Sequence, residues 1–354
     1  MARLILELTN RCDLRCPHCF GERHAATGDL SLAVLDRVLA EGSACGIDHL
    51  CFSGGEPTLH RHFAAIVERT ARAGYDFSFV TNGRNFPAVA SLVTAHRDRF
   101  RGVTFSLDGA REATHDRSRG PGSYRRVMRG ASVCFFKKLP FTFNFVLTSA
   151  NREEIDDMVD LAARLGSRGI RFGHLMFTPE NTADSPALSP AERREVESHI
   201  WDLRTRAPIP VDIAAGYFSE SPFFPCGPLE LEEYNLDYQG NLTLCCHLSG
   251  FAGPNVTDDI MGNLHDIPLA EACQRFQSRV ATYLADKRAR VSEGAFGELD
   301  HFPCWYCVKY LGKVHTSNHF PAAAWLPAAD HVDQSIGRRL HVLAGPGTAG
   351  SGCR

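Results

Sequence analysis

From residue 4 to about 175, short apolar runs alternate with amphipathic stretches. The runs Leu4–Thr9, His49–Ser53, Phe77–Thr81, Val103–Leu107, Phe141–Leu147 and Ile170–Leu175 have the length and composition of buried strands. Helical spacing fills the intervals. Ser31 stands as an N-cap before Leu32, Leu35, Val38 and Leu39, which share one helix face, and the stretch stops near Gly46. Asn151 and Glu154 have capping-box spacing ahead of Ile155, Met158, Val159, Ala162 and Leu165, with Gly166 as the stop. A further helix opens at Ser189, Pro190 and Glu192 and carries Val196, Ile200 and Leu203. Strand–helix repeats in succession predict an α/β fold of parallel strands joined by right-handed crossovers. Periodicity leaves two architectures open, a doubly wound sheet and a full or partial barrel. In both, loops converge at the carboxyl ends of the strands, so functional side chains are expected there.

The pattern changes after about residue 215. Ser221 to Pro228 (SPFFPCGP) is rich in turn formers, Tyr234 to Cys246 reads as a hairpin around Gln239-Gly240-Asn241, and helix returns only at about Ile267–Leu284. These shifts divide the chain into a core over 1–215, a smaller region over 216–321 and a loosely ordered tail over 322–354, whose composition ends in GPGTAGSGCR. A length of 354 residues suits one large and one smaller unit. With 44% hydrophobic and 22% charged residues the composition is that of a soluble globular chain. A formal charge of −3 carries no nucleic-acid footprint.

Cysteine usage changes the picture most. The chain has 13, an odd number in a chain longer than most disulfide frameworks. Secretion would explain disulfides, but the start MARLILELT has only a short apolar run broken by Glu7, unlike a signal peptide. No apolar run elsewhere approaches the roughly 20 residues of a membrane span. The expectation is a cytoplasmic protein without membrane attachment, whose reduced thiols hold metal.

Directly after the first strand comes Cys12-Asp-Leu-Arg-Cys16-Pro-His-Cys19-Phe20. Three thiolates this close can hold three irons of a 4Fe–4S cube and leave the fourth open. A structural zinc site wants four ligands, and only His18 is near enough to be one. Further motifs follow the next strands: Cys51-Phe-Ser-Gly-Gly-Glu-Pro57, Thr81-Asn82-Gly83 and Ser106-Leu107-Asp108-Gly109. Each alone reads as a turn; together they sit at the carboxyl ends of consecutive strands.

With these motifs the chain resembles the radical SAM superfamily from residue 4 to about 310. His18 takes the position at which that family's cluster loop carries an aromatic residue. The resemblance implies a partial (β/α)6 TIM-type barrel and a 4Fe–4S cluster on Cys12, Cys16 and Cys19. It also implies S-adenosylmethionine chelated to the open iron and cleaved to a 5′-deoxyadenosyl radical that abstracts hydrogen from substrate. Phe20 would lie against the adenine, the alternative being a place in the core. Gly54 and Gly55 would let the backbone approach the methionine moiety, with backbone carbonyls or Glu56 accepting from its ammonium. Asn82, Ser106, Asp108 and Asn144 would meet the cofactor, the last three at its ribose or carboxylate, and Arg117 or Arg119 would pair with the carboxylate. An electron donor such as flavodoxin or ferredoxin is implied as a partner.

A second set of thiols lies further on. Cys226 is followed, after thirteen intervening residues, by Gly240 and, after four more, by Cys245; Cys304-Trp-Tyr-Cys307 comes last. The first half resembles the opening of the SPASM domain, which carries auxiliary clusters in radical SAM enzymes. Nothing after Cys307 continues that pattern, so the set resembles the shortened twitch version, with one auxiliary 4Fe–4S cluster on Cys226, Cys245, Cys304 and Cys307. Structural zinc on the same four thiolates is the rival. Cys246 stands as an alternative ligand, as a donor near the substrate or as a residue on the strand's other side. A fully ligated cluster would take an electron, which favours net oxidation or cross-linking.

Substrate is less legible. Enzymes of this kind mature peptides, sulfatases, cofactors, sugars and cyclitols. Peptide maturases often begin with a leader-binding domain, and the first strand here starts at Leu4, so a peptide substrate is expected to need a separate recognition protein or recognition by the C-terminal part. A small-molecule dehydrogenase, decarboxylase or epimerase remains the alternative, and a non-catalytic zinc protein the alternative from another class. Methyl transfer would need a cobalamin domain or a methyl-carrying cysteine, for which Cys353 is formally available. His174, Tyr234 and Tyr238 are candidate substrate-facing groups.

Overall fold

The computed structural model describes residues 2–19, 27–175, 187–188, 190–214, 219, 221–224, 226–249, 257–295 and 297–311. Phe20, Ser189, Cys353 and the tail over 322–354 lie outside the described residues.

Strands β1 (Ala2–Thr9), β2 (Ile47–Gly54), β3 (Asp76–Thr81), β4 (Phe100–Ser106), β5 (Phe141–Leu147) and β6 (Ile170–His174) fall on the six apolar runs. Each pairs in parallel with the next. The crossovers carry α1 (Leu32–Glu41), α2 (Phe63–Arg72), α3 (Phe86–Ala95), α4 (Glu112–Arg119), α5 (Ser123–Lys137) and α6 (Ile155–Arg164). After α7 (Pro190–Arg206), a short β7 (Val211–Ile213) pairs in parallel with β6. Then come β8 (Glu233–Leu236), β9 (Asn241–Thr243), β10 (Ile260–Asn263), α8 (Leu269–Ser292) and α9 (Pro303–Tyr310).

All the named strands belong to one sheet, in the order β10-β9-β8-β1-β2-β3-β4-β5-β6-β7. The hairpin β8–β9 expected around Gly240 therefore extends the barrel sheet, with β8 parallel to β1. Arg3 on β1 and Glu233 on β8 lock this junction with an ion pair.

Strand parity separates two interiors. On β1, Leu4, Leu6 and Leu8 join the large core under the helices, whereas Arg3, Ile5 and Glu7 face a cavity of about 530 Å³. Ser53, Val80, Ser106, Asn144 and Arg171 from β2 to β6 line the same cavity, so the sheet curves around it as an open, partial barrel. The other parity is filled by phenylalanine. Rings of Phe77 and Phe100 lie 5.5 Å apart, Phe86 and Phe105 5.0 Å, and Phe145 and Phe172 5.4 Å, carrying ring contacts under the helices from β3 to β6. Burying each ring contributes about 1.5–3 kcal/mol relative to exposure, and edge-on packing adds to it.

Two helix ends show how local chemistry was met. Ser31 caps α1 as expected, its hydroxyl accepting from Ala33 N at 3.2 Å. The capping box at Asn151 does not form. The Asn151 amide instead closes the loop after β5, accepting from Thr148 N at 2.8 Å and donating to Val146 O at 2.8 Å, while Glu154 accepts from Ala110 N at 2.7 Å. These tertiary partners outcompete the local cap, and a 3-10 turn over Arg152–Glu154 leads into α6. The N-terminus of α8 is capped from another helix, Leu269 N donating to the Glu41 carboxylate at 2.7 Å. No helix among the described residues is long and apolar enough to cross a membrane.

Candidate active site

The loop carrying Cys12, Cys16 and Cys19 is clipped to the end of β2 by backbone. Gly55 N donates to Thr9 O at 2.7 Å and Glu56 N to Arg11 O at 2.8 Å. Both glycines are required by this approach. A Cβ on Gly54, whose φ is +121°, would meet Thr9 O at 2.1 Å, and one on Gly55 would meet Arg11 O at 2.2 Å. Gly55→Ala is therefore expected to push the cysteine loop off β2 and to cost most of the bound iron, with about 10²-fold less cleavage of S-adenosylmethionine. Iron analysis and 5′-deoxyadenosine quantification would check this, and a variant with full iron content would refute it.

Glu56 does not face the cavity. Its buried carboxylate accepts from Thr58 Oγ1 at 2.5 Å, Thr81 Oγ1 at 2.9 Å and Asn82 N at 2.8 Å, fastening the ends of β2 and β3 together. Burial raises its carboxyl above the usual range despite these bonds. Asn82 does line the cavity, and its amide donates to Asp13 Oδ1 at 2.8 Å, supporting the cysteine loop from the third strand. Burial pushes the Cys12 thiol up to about 11 and the Cys16 thiol up to about 12. A metal bound by these thiolates would have to displace those protons.

On the fourth strand the expected ligands are arranged differently. Asp108 is buried behind the cavity wall, where Arg119 ion-pairs with it, His18 Nε2 lies 3.2 Å from its Oδ2 and Val146 N donates to its Oδ1 at 2.9 Å. Burial alone would raise the carboxyl, but Arg119 and His18 outweigh it and hold Asp108 well below the usual range. His18, in turn, is 3.2 Å from Ser118 Oγ. The cavity thus meets Arg119 and His18, not Asp108. Arg117 is exposed and donates to Ala150 O at 3.0 Å, outside the cavity wall. Ser106 and Asn144 are paired in register on β4 and β5, and both line the cavity.

The second set of thiols lines the cavity as well. Cys226, Cys245, Cys304 and Cys307 line the same cavity as Cys12, Cys16 and Cys19. Cys304 and Cys307 sit one turn apart on α9, a helix the sequence pattern had not revealed. Burial drives the Cys226 thiol well up, with the other three thiols adding to the shift, and pushes Cys307 up to about 11. His247 bridges two of the four, its N–H donating to Cys245 Sγ at 3.4 Å while its ring Nδ1 lies 3.6 Å from Cys304 Sγ. Cys246 also lines the cavity, packed with Ile5, Cys51 and Val80 on the barrel side.

Of the expected substrate-facing groups, His174 lines the cavity, 3.8 Å from Glu197, with its imidazole held well below the usual range by burial and by Arg193. Tyr234 and Tyr238 do not. Tyr234 packs edge-on against Phe276 of α8 at 4.7 Å, and Tyr238 covers Gly28. Asn235, next to Tyr234 on β8, points toward the barrel instead, donating to Glu7 Oε1 at 3.1 Å. Glu7 and Arg193, both cavity-lining, were missed as site residues. Glu7 had a signal, a charge in the middle of an otherwise apolar strand.

Comparison with known proteins agrees with this geometry. The model of the Radical SAM superfamily matches residues 6–162, from β1 through most of α6. PqqA peptide cyclase of Methylobacterium sp. (strain 4-46) is 28% identical over 278 residues, covering 74% of this chain and 72% of that protein. Among solved structures, Streptococcus suis SuiB bound to precursor peptide SuiA superposes with a TM-score of 0.63 at 15% identity, covering 77% of this chain and 64% of SuiB. Native anSMEcpe with bound AdoMet and Cp18Cys peptide gives 0.59 at 18% identity, covering 77% of this chain and 80% of that one. At such identities the structures speak for the fold alone, and the chain spans less than two thirds of SuiB. Residues 6–162 thus carry a radical SAM superfamily domain. The chain is an S-adenosylmethionine-dependent enzyme built on that family's partial barrel.

Proposed function

We propose that the enzyme oxidises or cross-links a side chain of a peptide, with S-adenosylmethionine and a first 4Fe–4S cluster at one end of the cavity and a second cluster at the other. The observation that carries this reading is the shared cavity of about 530 Å³, lined by Cys12, Cys16 and Cys19 and by Cys226, Cys245, Cys304 and Cys307. When bound, the first cluster and its cofactor supply a 5′-deoxyadenosyl radical able to take hydrogen from an unactivated C–H bond. Cys12, Cys16 and Cys19 hold that cluster, and three thiolates leave one iron for the cofactor. Arg119 presents a cation to a carboxylate from the cavity wall, Ser106 and Asn144 present a hydroxyl and an amide beside it, and the backbone at Gly54 and Gly55 offers carbonyls. The walls exclude water and competing hydrogen donors.

Cys226, Cys245, Cys304 and Cys307 hold the second cluster, which would supply an electron sink. Four thiolates leave it no open iron. The region from β8 to α9 then serves as a twitch-like unit joined to the barrel over residues 1–215. Removal of one hydrogen atom, one electron and one proton accounts for a net two-electron oxidation. A low-potential donor such as flavodoxin or ferredoxin delivers the starting electron in a reducing compartment, the cytoplasm, and a separate protein presents the peptide.

The names borne by similar proteins, PqqA peptide cyclase and peptide-bound SuiB and anSMEcpe, support a peptide substrate. Anaerobic reconstitution is expected to give about eight irons per chain, and incubation with candidate precursor peptides should yield 5′-deoxyadenosine with a product lighter by two hydrogens. Colourless protein carrying zinc at the second site would defeat the two-cluster reading. Turnover only of a sugar or cyclitol would defeat the peptide.

A further inference from the structure

Tyr283 and Lys287 stand four residues apart on α8, so their side chains share a face. That face meets α9. The Tyr283 hydroxyl lies 3.3 Å from Cys307 Sγ, and the Lys287 ammonium sits 4.0 Å from the centroid of the Tyr306 ring. Lys287 is only 2% exposed. Lysine is almost never buried this far unless it is paired, because an ammonium loses its hydration there. Burial and the nearby Arg290 push its pKa down, while Asp300, Cys307 and Cys226 push it back up. The Tyr306 ring face adds attraction for the cation. The Tyr283 ring is itself wedged edge-on between Tyr306 at 5.7 Å and Tyr310 at 5.0 Å, so its hydroxyl is held in place.

Resting on the reading that Cys226, Cys245, Cys304 and Cys307 hold a cluster, we infer that Tyr283 and Lys287 set its reduction potential. An iron-bound Cys307 has no proton to give, so the Tyr283 hydroxyl becomes the donor to its sulfur. Reduction adds one electron and no proton, leaving one more negative charge on the iron and sulfur. A hydrogen bond to the thiolate and a buried ammonium both favour that extra charge, and cluster potentials respond to hydrogen bonds at sulfur and to nearby charge. Neither residue need touch substrate. They are positioning residues that make this end of the cavity the better electron acceptor, which is what a net oxidation requires of it.

The test uses the full chain with Cys12, Cys16 and Cys19 replaced by alanine, reconstituted anaerobically with ferrous iron and sulfide. Its remaining cluster is titrated against redox mediators and followed by electron paramagnetic resonance. About four irons per chain are expected. Lys287→Met and Tyr283→Phe should each lower the potential, so that at the parent midpoint the reduced-to-oxidised ratio falls at least about tenfold, or about 59 mV for one electron. Lys287→Arg should restore most of the difference. An unchanged potential in both Lys287→Met and Tyr283→Phe, with about four irons bound, overturns the inference while leaving the second cluster intact. If Lys287→Met fails to hold iron, Tyr283→Phe, which removes a single oxygen, decides alone. Absence of iron from the parent chain overturns the second cluster and this inference together.

Discussion

Cys16→Ala is expected to abolish formation of 5′-deoxyadenosine. Cys16 is buried where the cluster loop enters the cavity, and its backbone carbonyl accepts from Cys19 N at 2.9 Å, so the loop's turn is built around it. Losing this ligand leaves two thiolates for a cube that needs three from the protein. Since the bound cofactor carries the hard chemistry, the loss should equal the whole catalytic effect, on the order of 10⁶-fold or more. Bound iron should fall from about eight to about four per chain, because the thiols across the cavity are untouched. Retention of eight irons with measurable turnover would show that His18 or another group replaces the missing ligand, and the assignment would fail.

Asp108→Asn should have the second largest effect, on stability. Arg119 is held beside the cavity by the Asp108 carboxylate, and breaking a buried ion pair leaves an uncompensated charge at a cost of about 3–5 kcal/mol. The sign of its pH dependence follows from the depressed pKa of Asp108. A carboxyl that titrates lower in the folded than in the unfolded chain contributes fully above about pH 3.9, and its contribution is lost as pH falls toward the folded value. Urea titrations of the metal-free chain at neutral pH should show the full deficit, narrowing below about pH 3.9. A deficit under about 1 kcal/mol, or one that stays constant into acid, would mean that Asp108 is not what holds Arg119.

Several parts of this site were legible in the chain because they are local. The three cysteines of the first loop, the glycines that follow β2 and the six strands depend on short-range spacing, and each appears where that spacing puts it. What escaped depends on parity and distant partners. Tyr234 and Asn235 are adjacent on β8, and only the cavity's location says which of them points inward. Arg117 and Arg119 lie two residues apart on α4, where side chains do not share a face, so one reaches Asp108 and the other solvent. Glu56 looked like a ligand-binding carboxylate because nothing nearby revealed Thr81, twenty-five residues on, as its partner. Lys287 and Tyr283 carried no motif, and their meaning comes from α9, whose eight residues had read as a bare pair of cysteines.

The pairing of β8 with β1 also orders events during synthesis. Arg3 and Glu233 are 230 positions apart, so β1 keeps an open edge until β8 has been made. Loop closure over that distance makes the step slow, and an uncovered apolar edge strand invites pairing with other molecules in the meantime. The barrel and the cysteine-bearing segment are thus bound to one late folding event. A chain interrupted before β8 would lack the second set of thiols and, at the same time, the partner that shields its own first strand.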